Sequence, residues 1–102
     1  MTARLIVCGE LDGERILSAA GTAAMLDDGY AGNSGPDGDR MGVGWHWFNT
    51  ASPPFKGHGG DGPGFGTQLA LYPERRTVVV VLANDTLIDR VGLATAAASA
   101  FR

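Results

Sequence analysis

The chain has 102 residues, of which 44% are hydrophobic and 19% charged, and a net charge of −3. That is the composition of one small globular domain and not of a disordered segment. The longest basic cluster is Arg75-Arg76, so nucleic-acid binding has no support; Cys8, the single cysteine, cannot form an internal disulfide, and two histidines without cysteine partners make a poor zinc site.

Residues 2–8 have the content of a short helix or of a helix's last turns, stopped by Gly9. Leu11-Asp12-Gly13-Glu14 reads as a turn. Ser18 is placed to cap a helix running to about Leu26, favoured by the alanines at 19, 20, 23 and 24. Asp27 to Arg40 reads as a glycine-rich loop. Its aspartates do not match a calcium-loop spacing. Residues 41–48 alternate, with Met41, Val43, Trp45 and Trp47 on one face, and predict a single strand. His46, Trp45 and Trp47 are read as packing residues, and Cys8 as a small buried hydrophobe.

Strands are expected over 55–61 and 65–72, joined at Gly62-Pro63. Pro73-Glu74-Arg75-Arg76 reads as a tight turn. Thr77 to Ala83 is a β-branched strand that is apolar on both faces, so both faces want cover. Thr86 or Asp85 is placed to cap a last helix from Leu87 to about Phe101. The fold class is α+β: an antiparallel sheet with a packed C-terminal helix. That helix covers one face of the apolar strand, and little else in the chain can cover the other.

No apolar run approaches the roughly 20 residues of a membrane span. The N-terminal apolar stretch is shorter than the roughly 7–15 residues of a secretory h-region. The expectation is a cytoplasmic chain as written, with no membrane, nucleic acid, metal or cofactor; a longer parent could still be exported.

The densest motif lies between 57 and 66, where six of ten residues are glycine. Gly57-His-Gly-Gly-Asp-Gly62 satisfies G-x-G-x-x-G. A dinucleotide site would need a helix opening directly after it, and here Pro63 and a strand pattern follow.

From Leu5 to Phe101 the chain resembles the C-terminal third of class C β-lactamases and their relatives, the D-Ala-D-Ala carboxypeptidases, D-aminopeptidases and β-lactamase-fold esterases. The resemblance rests on order and spacing. It runs through Leu-Asp-Gly-x-x-Ile-Leu-Ser, Gly42-x-Gly-Trp45, His58-Gly-Gly, Gly64-Phe-Gly-Thr-x-Leu-Ala-Leu-Tyr-Pro-Glu-Arg75 and Val79-Val-Val-Leu-Ala-Asn84. It implies a partial β-lactamase/transpeptidase-like fold and a parent that hydrolyses ester, amide or β-lactam bonds through an acyl-serine. It places His58-Gly59-Gly60 at the third active-site box, on an edge strand, where Lys-Thr-Gly usually stands.

By resemblance His58 takes the position of the lysine. Histidine, mostly neutral at pH 7, suits proton shuttling better than fixed charge. Gly59 replaces the Thr or Ser that would bond a substrate carboxylate, which favours esterase or peptidase relatives. Gly60 permits close backbone approach, and the Asp61 N–H takes the place of the second oxyanion-hole donor.

The other two boxes are missing. None of Ser18, Ser34, Ser52 and Ser99 has Lys three residues later. Tyr30-Ala-Gly-Asn33 has one residue too many for Tyr-x-Asn. The expectation is a C-terminal fragment spanning 1–102, inactive alone. The alternatives are a catalytic half complemented by a separate upstream chain, or a non-catalytic binding module. The expected partners are a small-molecule acyl substrate in the parent, and a second copy or a complementing N-terminal chain at the apolar strand.

Overall fold

A computed structural model describes residues 9–26, 40–42 and 44–101. The expected helix over 2–8, most of the loop over 27–40, Cys8 and Tyr30-Ala-Gly-Asn33 lie outside the described residues.

The turn at 11–14 is a miniature hairpin. Strands β1 (Glu10–Leu11) and β2 (Glu14–Arg15) pair antiparallel around Asp12 and Gly13, at φ 51° and 83°. Two successive positive φ values make the type I′ geometry, whose twist suits the flanking strands. Ser18 caps α1 (Ala19–Leu26), its Oγ accepting from the Gly21 N–H at 3.0 Å.

The single strand expected over 41–48 is instead a hairpin. β3 (Arg40–Met41) pairs antiparallel with β4 (His46–Phe48), and the Gly42 N–H donates to Trp45 O at 2.6 Å to close the bend. Alternation concealed this because Gly42 makes room for Trp47: a Cβ there would sit 1.5 Å from the indole. Trp47 is buried, and the His46 and Phe48 rings lie 4.5 Å apart.

The main sheet continues with β5 (Phe55–Gly62), β6 (Phe65–Tyr72) and, after a 3-10 turn at Pro73–Arg75, β7 (Thr77–Ala83). Its five strands are antiparallel in the order β3-β4-β5-β6-β7. Helix α2 (Arg90–Ala100) packs on β6 and β7. The fold is thus α+β, an antiparallel sheet with a packed C-terminal helix.

Neither expected residue caps α2. Asp89 does so, its carboxylate accepting from the Gly92 N–H at 3.0 Å. Asp85 instead bonds the Leu87 N–H in a local turn, and the Thr86 hydroxyl accepts from Gly64 N–H while donating to Gly62 O. Both side chains had a nearer use, and that delays the helix by three residues relative to Leu87. At the other end Arg75 donates to Ala98 O and Phe101 O at 2.6 and 2.7 Å, satisfying carbonyls the helix leaves free.

The core lies between α2 and the sheet. Ala94 and Ala98, one turn apart, bring the helix close to Phe55, Ala70 and Tyr72, with Val79 and Val81 of β7 packed alongside. Phe48 stacks on Phe55 at 4.5 Å. The other face of β7 is open: Val80 is 58% and Leu82 79% exposed, and β7 has no further partner strand among the described residues.

The Tyr72 hydroxyl is buried without a hydrogen-bond partner among the described residues. Burial pushes its pKa up, and the Arg75 charge opposes this more weakly. A raised folded-state pKa contributes stability that is present below the unfolded value of about 10 and is lost as pH rises through the folded value. Tyr72→Phe removes an unsatisfied polar group. It is therefore expected to keep or slightly raise stability near pH 8 and to flatten the alkaline loss. Urea unfolding of both proteins at neutral pH and above about pH 10 checks this.

Candidate active-site wall on strand β5

Alternation along β5 splits the four candidate residues between the two faces of the sheet. His58 and Gly60 share the face of Lys56, Thr67 and Leu69, since His58 is opposite Leu69 and Gly60 opposite Thr67. Gly59 and Asp61 face α2. A Cβ on Gly59 would meet Gln68 Oε1 at 2.8 Å and Arg90 Cζ at 3.7 Å. The geometry therefore gathers Gly59, Asp61, Gln68 and Arg90 behind the sheet and leaves His58 in front of it.

His58 is exposed, and its Nδ1 lies 2.7 Å from Gly59 O. A carbonyl only accepts, so this bond requires the proton on Nδ1. In the neutral ring Nε2 then carries the free lone pair, which suits a proton acceptor facing outward. Gly60 is fixed through its carbonyl, which accepts from Thr67 Oγ1 at 2.9 Å.

Behind the sheet, Asp61 Oδ1 lies 3.5 Å from Arg90 Nη1, with Arg90 entering from the first residue of α2. That nitrogen is buried and has no hydrogen bond among the described residues. Gln68 is 2% exposed and donates to Leu69 O at 3.2 Å. The sequence pattern does not single out Gln68 or Arg90, which fall within the strand expected over 65–72 and the helix expected from Leu87. The available signal was a polar side chain on the Gly66/Ala70/Tyr72 face of β6.

The resemblance implied an edge strand for the triplet, and the structure refines this. β5 is the third strand of five, but β4 pairs only with Phe55, Lys56 and Gly57. From His58 to Gly62 the strand has β6 on one side and no strand on the other among the described residues. Alternate residues there present backbone N–H and C=O at an open edge.

Lys56 lies on the His58 face, but its ammonium donates to Leu26 O and sits 5.6 Å from the centre of the Trp47 ring. Two of the serines have structural partners: Ser18 caps α1, and Ser99 donates to Thr95 O. Ser52 precedes Pro53 between β4 and β5, and Ser34 lies outside the described residues. Among the described residues, no three His, Cys, Asp or Glu side chains come together as a metal site, and no helix is long and apolar enough to cross a membrane.

No curated protein and no solved structure matches the chain significantly. The family model described as Beta-lactamase matches residues 2–101. That match takes in the open-edged strand with its His-Gly-Gly triplet, the two strands that follow it and the helix packed behind them, and on it the chain belongs to the Beta-lactamase family.

Proposed function

We propose that these residues form one wall of a serine-hydrolase site, in which an acyl-serine is formed by a nucleophile from outside the 102 residues. The supporting observation is the stretch from His58 to Asp61: it lies at an open strand edge, in a family member that has no Ser-x-x-Lys. In this reading His58 Nε2 moves the proton between serine and leaving group, and the Asp61 backbone N–H is one oxyanion donor. Gly59 offers no hydroxyl to a substrate carboxylate, which favours simple esters or peptides over β-lactams.

The test is complementation. An upstream segment carrying Ser-x-x-Lys and Tyr-x-Asn, joined to the chain or added as a separate polypeptide, should restore hydrolysis of p-nitrophenyl esters. His58→Ala should then lower kcat by roughly a hundredfold, the usual scale for a lost acid–base group. Equal kcat in the variant would remove His58 from the mechanism.

The same reading assigns the outer face of β7, and its edge that has no partner strand among the described residues, to a partner chain. Alone, the protein is expected to dimerise or aggregate through that edge at tens of micromolar, on the order usual for exposed apolar strands. Leu82→Lys, at a position 79% exposed, should reduce self-association without loss of fold. Sedimentation velocity reads both, and a monodisperse wild-type monomer would count against the assignment.

A further inference from the structure

The direction of the Asp61 N–H follows from the turn beside it. Gly62-Pro63-Gly64-Phe65 has proline second and glycine third, with Gly64 at φ 83°. That is the pattern of a type II turn, in which the first carbonyl accepts from the fourth N–H. Gly62 and Phe65 are then a hydrogen-bonded pair of the β5–β6 ladder, and the next pair, Asp61 and Gly66, is not. Asp61 therefore turns its N–H and C=O away from β6, to the edge with no strand among the described residues. The other end of the sheet agrees. The bond from Gly42 N–H to Trp45 O makes that pair the bonded one, so His46 bonds toward Gly57, and Gly57, Gly59 and Asp61 share one edge by alternation.

Local chain stiffness cannot hold that edge in place. Five of the eight residues from 59 to 66 are glycine, the residue with the least restrained backbone. The hold comes from the loop between β7 and α2. The Thr86 hydroxyl accepts from the Gly64 N–H at 3.0 Å and donates to Gly62 O at 2.6 Å, so one side chain spans the turn. The loop is also seated on Gly66, the residue opposite Asp61: a Cβ there would lie 3.0 Å from Asp85 O and 3.2 Å from Ile88 Cγ2. Within the loop, the Asp85 carboxylate accepts from the Leu87 N–H at 3.0 Å. The Arg90–Asp61 contact, at 3.5 Å and on a half-exposed carboxylate, is the looser tie.

We propose that Thr86 is a positioning residue of the active-site wall. By clamping Gly62 O and the Gly64 N–H, it fixes the turn and so the outward Asp61 N–H that would donate to the oxyanion. This rests on the hydrolase reading above. Thr86 itself touches no substrate in this role; it acts through the backbone one residue beyond Asp61.

The test compares Thr86→Val, which keeps the shape and loses the hydroxyl, with Thr86→Ser, which keeps the hydroxyl. In the full chain, amide hydrogen exchange at Gly60 and Phe65 should quicken about tenfold in Thr86→Val, the scale of one lost hydrogen bond. Exchange at Leu71 and Val79 should stay unchanged, and Thr86→Ser should match the wild type. In the complemented enzyme, Thr86→Val should lower kcat about tenfold, less than outright removal of an oxyanion donor, with KM nearly constant, because the oxyanion forms only in the transition state. Thr86→Ser should restore kcat. Thr86→Ala serves in place of Thr86→Val if the valine protein does not fold. Unchanged exchange, an unchanged kcat, a rise in KM alone, or a loss that serine does not restore would each overturn the positioning role while the hydrolase reading stands. A complemented wild type without activity would overturn the hydrolase reading, and this role with it.

Discussion

Incubated with a fluorophosphonate probe or a penicillin, the 102-residue chain is expected to gain no mass, and to turn over neither nitrocefin nor p-nitrophenyl esters. Acyl-enzyme chemistry needs a nucleophile with an activating base beside it, facing an oxyanion hole. The proposed wall would supply His58 Nε2 and strand-edge amides. It supplies no such nucleophile: Ser18 and Ser99 are engaged in helix hydrogen bonds, and Ser52 has Lys56 four residues on but with Pro53 and Pro54 between them and no helix turn to bring the two together. Loss of the nucleophile closes the covalent route itself, so the expected effect is complete loss and not a reduced rate. Intact-mass spectrometry decides the matter. A stoichiometric adduct mapped to Ser18, Ser34, Ser52 or Ser99 would show that the chain carries its own nucleophile.

Gly57→Ala should cost about 3 kcal/mol or more, a large part of the ~5–15 kcal/mol that holds a small domain together. A Cβ at 57 would lie 1.9 Å from Leu69 O and 3.3 Å from Ala70 Cα, both backbone atoms of the adjoining strand. They cannot yield without opening the β5–β6 ladder. Gly60 is a contrast three residues away. A Cβ there meets only Thr67 Oγ1, at 3.2 Å, so Gly60→Ala should change stability by no more than about 1 kcal/mol. In a complemented enzyme the same change should lower activity by about tenfold or more, because it places a methyl on the His58 face where a substrate would lie. Thermal melts of the two variants, with ester turnover of Gly60→Ala per folded molecule, separate the roles. A Gly60→Ala protein that melts far lower yet retains full activity would make Gly60 structural.

Much of this protein is local, and its sequence was therefore legible. The three long strands, their two turns and the Ser18 cap follow from alternation, from Pro and Gly at turn positions and from a hydroxyl before an alanine run. Each of these depends on residues a few positions apart. The apolar Val78 to Leu82 run likewise announced a strand wanting cover on both faces, and α2 covers only the Val79/Val81 face.

What the tertiary structure decided depends on contacts distant in sequence. Residues 41–48 alternate like one strand, yet they fold as a hairpin because Gly42 lies under the Trp47 ring. Asp85 and Thr86 are credible caps, yet Thr86 is taken by the β5–β6 turn and the helix waits for Asp89. The His58-Gly-Gly-Asp61 motif was visible as a string. Its division between a front face bearing His58 and a rear face where Asp61 meets Arg90 needed the register of β5 on β6 and the docking of α2. A pattern of period two can show that neighbours oppose one another. Only packing determines which side is buried, and against which residue.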